Sequence, residues 1–374
     1  MHLYLHIPFC VRRCSYCDFS IAVRKRIPAE EYLDAVMEEA TAVERAGEIR
    51  TIYLGGGTPS LLPSEAIHAL LHELPLKFRN PQSTIRNDAE ITIEANPEDV
   101  TADSARSWKA AGINRVSLGA QSFDDRVLKW MHRSHDAARI GAAVHALRGA
   151  GLENISLDLI FALPYELERD WERDLDMALA LRPTHLSLYG LTVEPRTPLD
   201  RWISRGATHA PDEERYAEEY LLAHRRLTAK GFSFYEVSNA ARDGFRSQHN
   251  SAYWSGKPYV GLGPAAHSFD GTTRRWNLRA WEAYRRTIAE GLSPVESEEK
   301  LSAEQRETER LYLGLRTAEG ISAQHLPRLS AHSRAFEAAG WLYAHAGRLR
   351  CTPEGWLRLD SLVSDLTMQT EIRS

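Results

Sequence analysis

Three cysteines near the N-terminus are the residues of this sequence best suited to chemistry. Cys10, Cys14 and Cys17 follow the spacing Cys-x-x-x-Cys-x-x-Cys. A loop this short can turn three sulfurs towards one soft metal centre. The fourth cysteine, Cys351, is isolated in the sequence, so no disulfide framework is indicated and a reducing compartment is expected.

The number of protein ligands available limits the kinds of metal centre that the loop can hold. A structural zinc site needs a fourth Cys or His, usually from a second ligand pair, and the sequence offers no evident pair. A [4Fe-4S] cluster held by three cysteines leaves one iron open to a substrate or cofactor. This arrangement resembles the radical S-adenosylmethionine (SAM) superfamily, in which SAM chelates the open iron. A zinc site and free thiols are the alternatives.

A glycine triplet follows the second predicted strand. The apolar run 51–54 leads directly into Gly55-Gly56-Gly57-Thr58. Glycines at the carboxyl end of a strand let the backbone approach a ligand with its amide groups exposed. Alone, the triplet would indicate an ordinary strand-to-helix turn. After a cluster loop and one helix, it stands where radical SAM proteins bind the amino group of SAM.

Polar residues mark the later strands of the repeat. Glu94 ends an alternating strand whose isoleucines are expected to face helices, and its carboxylate suits ribose hydroxyls or an ammonium group. Gln121 ends the next strand, before a predicted helix carrying Arg133, and is either a ligand contact or a satisfied core residue. Asp158 lies inside an apolar run and must be paired or face a ligand, because an isolated buried charge is very costly.

Alternating strands and helices predict the fold class, α/β with a parallel sheet. Six strands are expected near residues 3–7, 51–54, 90–94, 115–123, 155–160 and 185–189, with ligand residues at their carboxyl ends. The pattern resembles the incomplete (β/α)6 barrel of the radical SAM superfamily. We expect this barrel over 1–270, an acidic linker over 271–300, and a C-terminal domain over 301–374.

The C-terminal part is predicted to be mainly helical and winged-helix-like. Helices are expected over 303–316, 322–326, around Phe336 and after Pro353, with a hairpin over 342–349. DNA binding is disfavoured because no basic recognition face stands out. A lid over the barrel or a partner-docking surface is expected instead.

The composition and net charge of the chain limit its possible functions. The chain has 374 residues, 43% of them hydrophobic, and a formal net charge of -5, which gives no electrostatic case for nucleic-acid binding. The sequence shows no signal-peptide pattern and no apolar run long enough to span a bilayer, so a cytoplasmic protein is expected.

A histidine beside two aromatic residues is a second candidate site. His249, Tyr253 and Trp254 combine an iron-binding imidazole with the aromatic surface that haem needs. Such a histidine is more often structural. His267 is a second candidate haem ligand.

The motifs together resemble the coproporphyrinogen III dehydrogenase (HemN)-like family over essentially the whole chain. They are His6-Ile-Pro-Phe-Cys10, Gly55-Gly-Gly-Thr-Pro-Ser60, Gly119-Ala-Gln-Ser-Phe123, Leu157-Asp-Leu-Ile160 and His249-Asn-Ser-Ala-Tyr-Trp254. The dehydrogenases carry a further cysteine two residues beyond the third and an N-terminal extension. Here Phe19 occupies that position and the chain begins at the strand, which resembles the haem-chaperone branch of the family.

The resemblance implies a set of site residues. Cys10, Cys14 and Cys17 would hold the [4Fe-4S] cluster, and His249 would contribute to haem binding. The residues implied in SAM binding are Tyr4, Tyr16, Gly56, Gly57, Thr58, Glu94, Gln121, Arg133 and Asp158, some of which serve a second SAM in the dehydrogenases.

The sequence therefore leaves two functions open and gives less support to a third. A haem chaperone would deliver haem to respiratory haemoproteins, with peripheral contact to membrane-bound partners. A dehydrogenase would instead use radical chemistry to decarboxylate coproporphyrinogen III. A radical enzyme that modifies nucleic acid fits less well, because no added RNA-binding domain is evident.

Overall fold

A computed structural model describes residues 1–43, 47–79, 84–322 and 330–367. The strands of the first 300 residues are β1 (His2–Ile7), β2 (Phe9–Cys10), β3 (Ala22–Val23), β4 (Ile49–Gly56), β5 (Ile85–Ala95), β6 (Arg115–Gln121), β7 (Asn154–Phe161), β8 (His185–Gly190), β9 (Ser233–Glu236), β10 (Asn239–Ala241), β11 (Val260–Leu262), β12 (His267–Phe269), β13 (Thr273–Asn277) and β14 (Val295–Lys300). The helices are α1 (Ala29–Thr41), α2 (Ser64–His72), α3 (Leu74–Lys77), α4 (Ala102–Ala111), α5 (Asp125–Trp130), α6 (Ala137–Gly149), α7 (Trp171–Ala180), α8 (Pro198–Ser204), α9 (Glu213–Ala229), α10 (Gln248–Trp254) and α11 (Trp281–Ala289).

The main sheet is the predicted parallel repeat with additions at both edges. In the described residues its strand order is β11-β1-β4-β5-β6-β7-β8-β10-β9. The six predicted strands β1, β4, β5, β6, β7 and β8 pair side by side and parallel, as a (β/α)6 arrangement requires. β11 adds a parallel strand beside β1, and β10 adds an antiparallel strand beside β8.

Alternation along each strand gives the sheet one apolar and one polar face. Leu5, Leu54 and Ile93 are fully buried in the apolar core shared with the helices. The residues between them point the other way, because successive side chains of a strand alternate. This inner face carries polar groups that bond to each other across strands, such as His2 Nδ1 with Thr51 Oγ1 at 2.9 Å.

Several helices begin at a residue whose side chain caps the first turn. The Thr101 hydroxyl accepts from the Ser104 amide at the start of α4, and the Asp212 carboxylate accepts from the Arg215 amide at the start of α9. Arg133 was expected on a helix, but α5 ends at Trp130 and Arg133 lies in the turn beyond it. That turn includes His132 in a left-handed backbone conformation (φ 59°), which a helix cannot continue through.

The acidic stretch after residue 294 is a strand, not the predicted link. β14 pairs antiparallel with β13, so that Glu298 lies opposite Arg275 and Glu299 opposite Arg274. Arg275 Nε lies 3.1 Å from a Glu298 oxygen. The glutamates satisfy opposite charges across the pair, which composition alone did not reveal.

The C-terminal part has the predicted mixture of helices and a small sheet. It contains α12 (Ala303–Arg316), β15 (Ile321–Ser322), α13 (Ser330–Ala338), β16 (Leu342–His345), β17 (Arg348–Cys351), α14 (Pro353–Trp356) and α15 (Leu359–Thr367). The hairpin β16–β17 and the helix after Pro353 are confirmed. The helix expected over 322–326 lies outside the described residues, apart from Ser322 in β15. Cys351 is buried, as expected of an inert thiol.

A buried carboxylate joins α1 to the segment that follows β11. Glu39 accepts hydrogen bonds from the Gly263 amide (2.8 Å), the Tyr284 hydroxyl (2.6 Å) and the Asn277 side-chain amide. Burial raises the pKa of Glu39 to about 7, although these hydrogen bonds oppose the rise. Residues 263–284 are therefore fastened to the first helix of the barrel. The division of the chain at residues 270 and 300 stays a prediction.

We predict that Glu39→Gln alters the pH dependence of stability. Because the folded-state pKa lies above the ordinary value near 4.5, the stabilising effect of the Glu39 proton is complete below pH 4.5 and is lost as pH rises through 7. Glutamine keeps one acceptor oxygen but places an NH2 group against a donor. The variant should be less stable at pH 5, with a deficit that shrinks by about 3 kcal/mol towards pH 8.

Urea unfolding at pH 5, 6, 7 and 8 measures this difference. Glu38→Gln, on the exposed side of the same helix, is the matched control and should follow the wild type. Parallel stability curves for wild type and Glu39→Gln would contradict the prediction.

Candidate cofactor site

The carboxyl ends of the parallel strands open on a cavity of about 610 Å³. It lies where strands of this topology are expected to gather ligand-binding residues. Its lining includes most of the predicted site residues: Cys10, Cys14, Tyr16, Cys17, Gly56, Gly57, Thr58, Glu94, Gln121, Arg133 and Asp158. Tyr4, His249 and the second candidate haem ligand His267 do not line it.

The cysteine loop is fixed to its surroundings at several points. β2 pairs parallel with β3, and the Arg24 amide donates to the Cys10 carbonyl at 2.9 Å. Cys10 Sγ lies 3.2 Å from Thr58 Oγ1, and Arg133 Nη1 lies 3.5 Å from Cys14 Sγ. Cys10 is buried, whereas Cys14 and Cys17 are half-buried at the cavity. The loop is thus held in place by the barrel, with all three cysteines in the lining of the cavity.

The donor set fits a cluster better than a single ion. In the described residues, no group of three or more Cys, His, Asp or Glu side chains is arranged to hold one metal ion. The three cysteines of an iron-sulfur cluster bind three different irons, so their sulfurs need not converge on one point.

The glycine triplet packs directly against the cysteine loop. The Gly57 amide donates to the Ile7 carbonyl at 2.8 Å. A Cβ added to Gly57 would stand 2.8 Å from the carbonyl oxygens of Pro8 and Phe9. Gly56 adopts a φ of 115°, which favours glycine. These glycines are needed because two backbone segments meet here with no room for side chains.

Glu94 lies on the cavity floor with two donors. Its Oε1 accepts from the Tyr53 hydroxyl at 2.9 Å, and its Oε2 accepts from the Gly56 amide at 3.0 Å. Burial, with the Asp158 carboxylate nearby, raises the pKa of Glu94 to about 7. A cationic group bound in the cavity would stabilise the ionised carboxylate.

Arg133 and Gln121 shape the wall beside the cysteines. Arg133 Nη2 donates to the Gly119 carbonyl at 2.9 Å and to the side-chain oxygen of Asn96. Gln121 has a φ of 66° where the register of β6 shifts, so it combines an unusual backbone conformation with a place in the lining. Such strain is typical of functional sites.

Asp158 is both paired and facing the cavity. Its oxygens accept from Ser117 Oγ at 3.0 Å, and Ser156 Oγ lies 3.2 Å away. Burial raises the pKa of Asp158, while these hydroxyls oppose the rise. The sequence predicted that Asp158 is either paired or faces a ligand, and in the structure it is paired and also lines the cavity.

Tyr4 lies within the barrel rather than at its mouth. Its hydroxyl is 3.1 Å from His6 Nδ1, and its ring packs near Tyr53 with centroids 6.1 Å apart. Sequence reasoning also missed Asn96 and Tyr189, which line the cavity. Tyr189 continues the inward alternation of β8, so strand periodicity could have identified it.

His249 is fully buried and bonded at both ring nitrogens. Its Nδ1 lies 2.7 Å from Thr51 Oγ1, and its Nε2 lies 2.8 Å from the Tyr253 hydroxyl. Burial lowers the pKa of His249 to about 3. In this conformation the imidazole is part of a hydrogen-bond chain inside the barrel. Its assignment to haem binding stays a prediction.

Comparison with known proteins identifies both parts of the chain. Residues 4–178 match the radical SAM superfamily, and residues 301–358 match the HemN C-terminal domain. The solved structure of coproporphyrinogen III oxidase (HemN) from Escherichia coli, a radical SAM enzyme, superimposes with a TM-score of 0.80. At 22% identity it covers 98% of this chain and 89% of its own. The predicted radical SAM fold is confirmed.

Sequence relatives decide the family. The heme chaperone HemW of Mycobacterium tuberculosis is 38% identical over 374 residues, covering 97% of this chain and 94% of the relative. The chain belongs to the HemW family. HemW of Bacillus subtilis is 36% identical and covers 85% of this chain and 84% of its own, and HemW of E. coli is 39% identical and covers 71% and 69%. The haem-chaperone branch inferred from the motifs is the correct one.

We predict that Gly57→Ala damages the site in this HemW-family chain. The new Cβ must displace the backbone of residues 8 and 9, so the cysteine loop shifts. We expect a loss of about 1–3 kcal/mol in the free energy of unfolding. We also expect less iron and sulfide per chain after anaerobic reconstitution.

Gly149→Ala is the control for this substitution. Nothing lies within 4 Å of a Cβ built at Gly149, at the end of α6, so stability and iron content should match the wild type. Wild-type iron content in Gly57→Ala would show that the close approach of the two segments is not required.

Proposed function

We propose that this protein is a haem chaperone that carries a [4Fe-4S] cluster and SAM in the cavity at the barrel mouth. It binds haem as cargo and delivers it to respiratory haemoproteins. The observation that carries the proposal is the match to heme chaperones over nearly the whole chain, together with the cysteine loop and glycine triplet side by side. A cytoplasmic location is part of the proposal, because free cysteines without a disulfide framework indicate a reducing compartment.

The cluster is assigned to the three cysteines of the loop. Cys10, Cys14 and Cys17 supply its thiolate ligands, and Phe19 stands where the dehydrogenases carry a further cysteine. Phe19 is 60% exposed and lines the cavity. The bound cluster offers an open iron to SAM and can accept and donate one electron. Arg133, beside Cys14, balances the negative charge of the thiolates.

SAM is assigned to the remaining lining of the cavity. The volume of about 610 Å³ falls within the range of small-molecule sites, about 300–1,000 Å³. Gly56, Gly57 and Thr58 offer backbone and hydroxyl groups close to the cysteine loop, and Glu94 offers a carboxylate to a cation. Asp158, Gln121 and Tyr16 complete the assignment, while Tyr4 acts from beneath by supporting Tyr53.

One experiment tests this function against the dehydrogenase. The cluster is reconstituted anaerobically, haem is titrated and followed by absorbance, and turnover of coproporphyrinogen III is assayed with SAM and a reductant. We expect stoichiometric haem binding and no turnover. Conversion of coproporphyrinogen to protoporphyrinogen, or the absence of specific haem binding, would overturn the proposal.

The cluster ligands are tested separately. Cys10→Ser should prevent assembly of an intact four-iron cluster, because its thiolate is one of three protein ligands. Iron and sulfide content and the absorbance of the cluster measure this. Cys351→Ser, far from the cavity in the small C-terminal sheet, is the control and should retain the cluster. A complete cluster in Cys10→Ser would refute the ligand assignment.

We predict that SAM binding depends on pH through Glu94. Above pH 7 the carboxylate is ionised and attracts the cationic groups of SAM. As pH falls from 8 to 6 it becomes protonated, so the dissociation constant should rise about tenfold. Glu94→Gln should bind SAM weakly at pH 8 and show little change towards pH 6.

Isothermal titration at pH 6, 7 and 8 with the reconstituted protein measures the effect. Glu65→Gln, on the exposed side of α2, controls for the loss of one negative charge and should keep the wild-type profile. A wild-type profile in Glu94→Gln would exclude Glu94 from SAM recognition.

A further inference from the structure

A second cleft lies away from the cysteine loop. It has a volume of about 1150 Å³ and is lined by residues of α10, β12, β13 and α12, where the barrel meets the C-terminal part. It is nearly twice as large as the cavity at the barrel mouth. The cleft is thus large enough for a bulky ligand, and neither the cluster nor SAM accounts for it.

One wall of the cleft is aromatic. Tyr253 and Tyr259 meet edge to face with ring centroids 4.6 Å apart, and Phe269 continues the row at 6.3 Å from Tyr259. Trp254 also lines the cleft. Aromatic rings offer large flat apolar surfaces, which suit a flat macrocycle better than a small polar metabolite.

His267 presents an available imidazole in this cleft. Its ring stacks on Trp276 with centroids 5.8 Å apart and an angle of 24° between the planes. Neither ring nitrogen makes a hydrogen bond to any residue that the structure describes. Partial burial, with Arg274 and Arg279 nearby, lowers the pKa of His267 and keeps the ring neutral at pH 7. A neutral, unbonded imidazole is the form that coordinates iron.

Three cations in the lining have no carboxylate partner in the described part of the chain, and one of them, Arg348, donates instead to the backbone carbonyls of Glu319 and Gly320. Lys257 and Arg306 line the cleft without an ion pair. Arg246 and Arg274, in the same lining, are paired with Glu319 and with Glu309, respectively. With Arg348 held by backbone carbonyls, Lys257 and Arg306 are the two cations left to meet the two propionates of haem, and they match them in sign.

His249 does not line this cleft and is connected to it through Tyr253. Its Nε2 hydrogen-bonds to the Tyr253 hydroxyl, and Tyr253 forms part of the aromatic wall. His249 is therefore a positioning residue for the wall. The motif that contains it contributes Tyr253 and Trp254 to the cleft.

We infer that the cleft is the haem site, with the His267 imidazole as an iron ligand and with Lys257 and Arg306 as partners of the propionates. This inference rests on the proposed haem-chaperone function and adds the place and the ligands. It assigns the iron to a histidine outside the His249 motif. Haem binding there involves no contact with the cysteine loop.

The first test is haem titration of the full-length reconstituted protein. His267→Ala should bind haem at least tenfold more weakly and lose the absorbance and electron-paramagnetic-resonance signature of imidazole ligation. Added imidazole should restore that signature. His145→Ala, an exposed histidine on α6, is the control for loss of a surface histidine and should match the wild type.

The second test determines whether Lys257 and Arg306 contact the haem propionates. Lys257→Gln and Arg306→Gln should each weaken haem binding about threefold to tenfold. They should leave the affinity for haem dimethyl ester, whose propionates are uncharged, unchanged. An equal loss for haem and its ester would show that these cations do not contact the propionates, which would contradict this part of the assignment.

The outcomes separate this inference from the function on which it rests. A wild-type protein that binds no haem would overturn the haem-chaperone function. A wild type that binds haem while His267→Ala keeps its affinity and spectrum would overturn the cleft assignment alone. Loss of the imidazole signature in both His249→Ala and His249→Gln, with His267→Ala unaffected, would place the iron at His249 instead.

Discussion

The parallel pairing of β1 with β4 is the constraint on which the site at the barrel mouth depends. Its register sets His6 beside Gly55 and Ile7 beside Gly56. The cysteine loop leaves one strand and the glycine turn leaves the other, so both emerge at the same height and touch through Cys10 and Thr58. A slip of one residue would turn the inward side chains to the opposite face and separate the two segments.

The polar interior of the barrel imposes a second condition. Ionisable groups placed there must find partners, because an unpaired charge away from water is very costly. Glu90 shows one solution: it accepts from the backbone amides of Gln248 and His249, both at 2.9 Å, and so caps the start of α10 from inside the sheet. Glu39, on α1 outside the sheet, meets the same condition with three donors from the segment after β11. Glu94 instead retains space in front of it, where a ligand can bind.

Sequence patterns predicted the strands and the cavity residues because both follow short-range rules. Alternation located the six parallel strands, and their shared direction placed Glu94 and Gln121 at one end. Sequence patterns did not predict the features that depend on residues distant in the sequence. Tyr4 alternates correctly, yet its position within the barrel follows from which end of β1 opens to the cavity. The glutamates after residue 294 are a strand only because Arg274 and Arg275 lie opposite them. The burial of His249 depends on Thr51, almost 200 residues earlier.

Strand β4 carries Thr51 near one end and Gly56 at the other. The first contacts His249 and, through it, Tyr253 in the wall of the large cleft, whereas the second contacts Glu94 in the cavity. These two points are roughly 17 Å apart along one strand. Thermodynamic linkage therefore applies: if occupancy of the cavity changes affinity in the cleft by some factor, occupancy of the cleft changes affinity in the cavity by the same factor. Strand β4 is thus a direct structural connection between the cavity and the cleft.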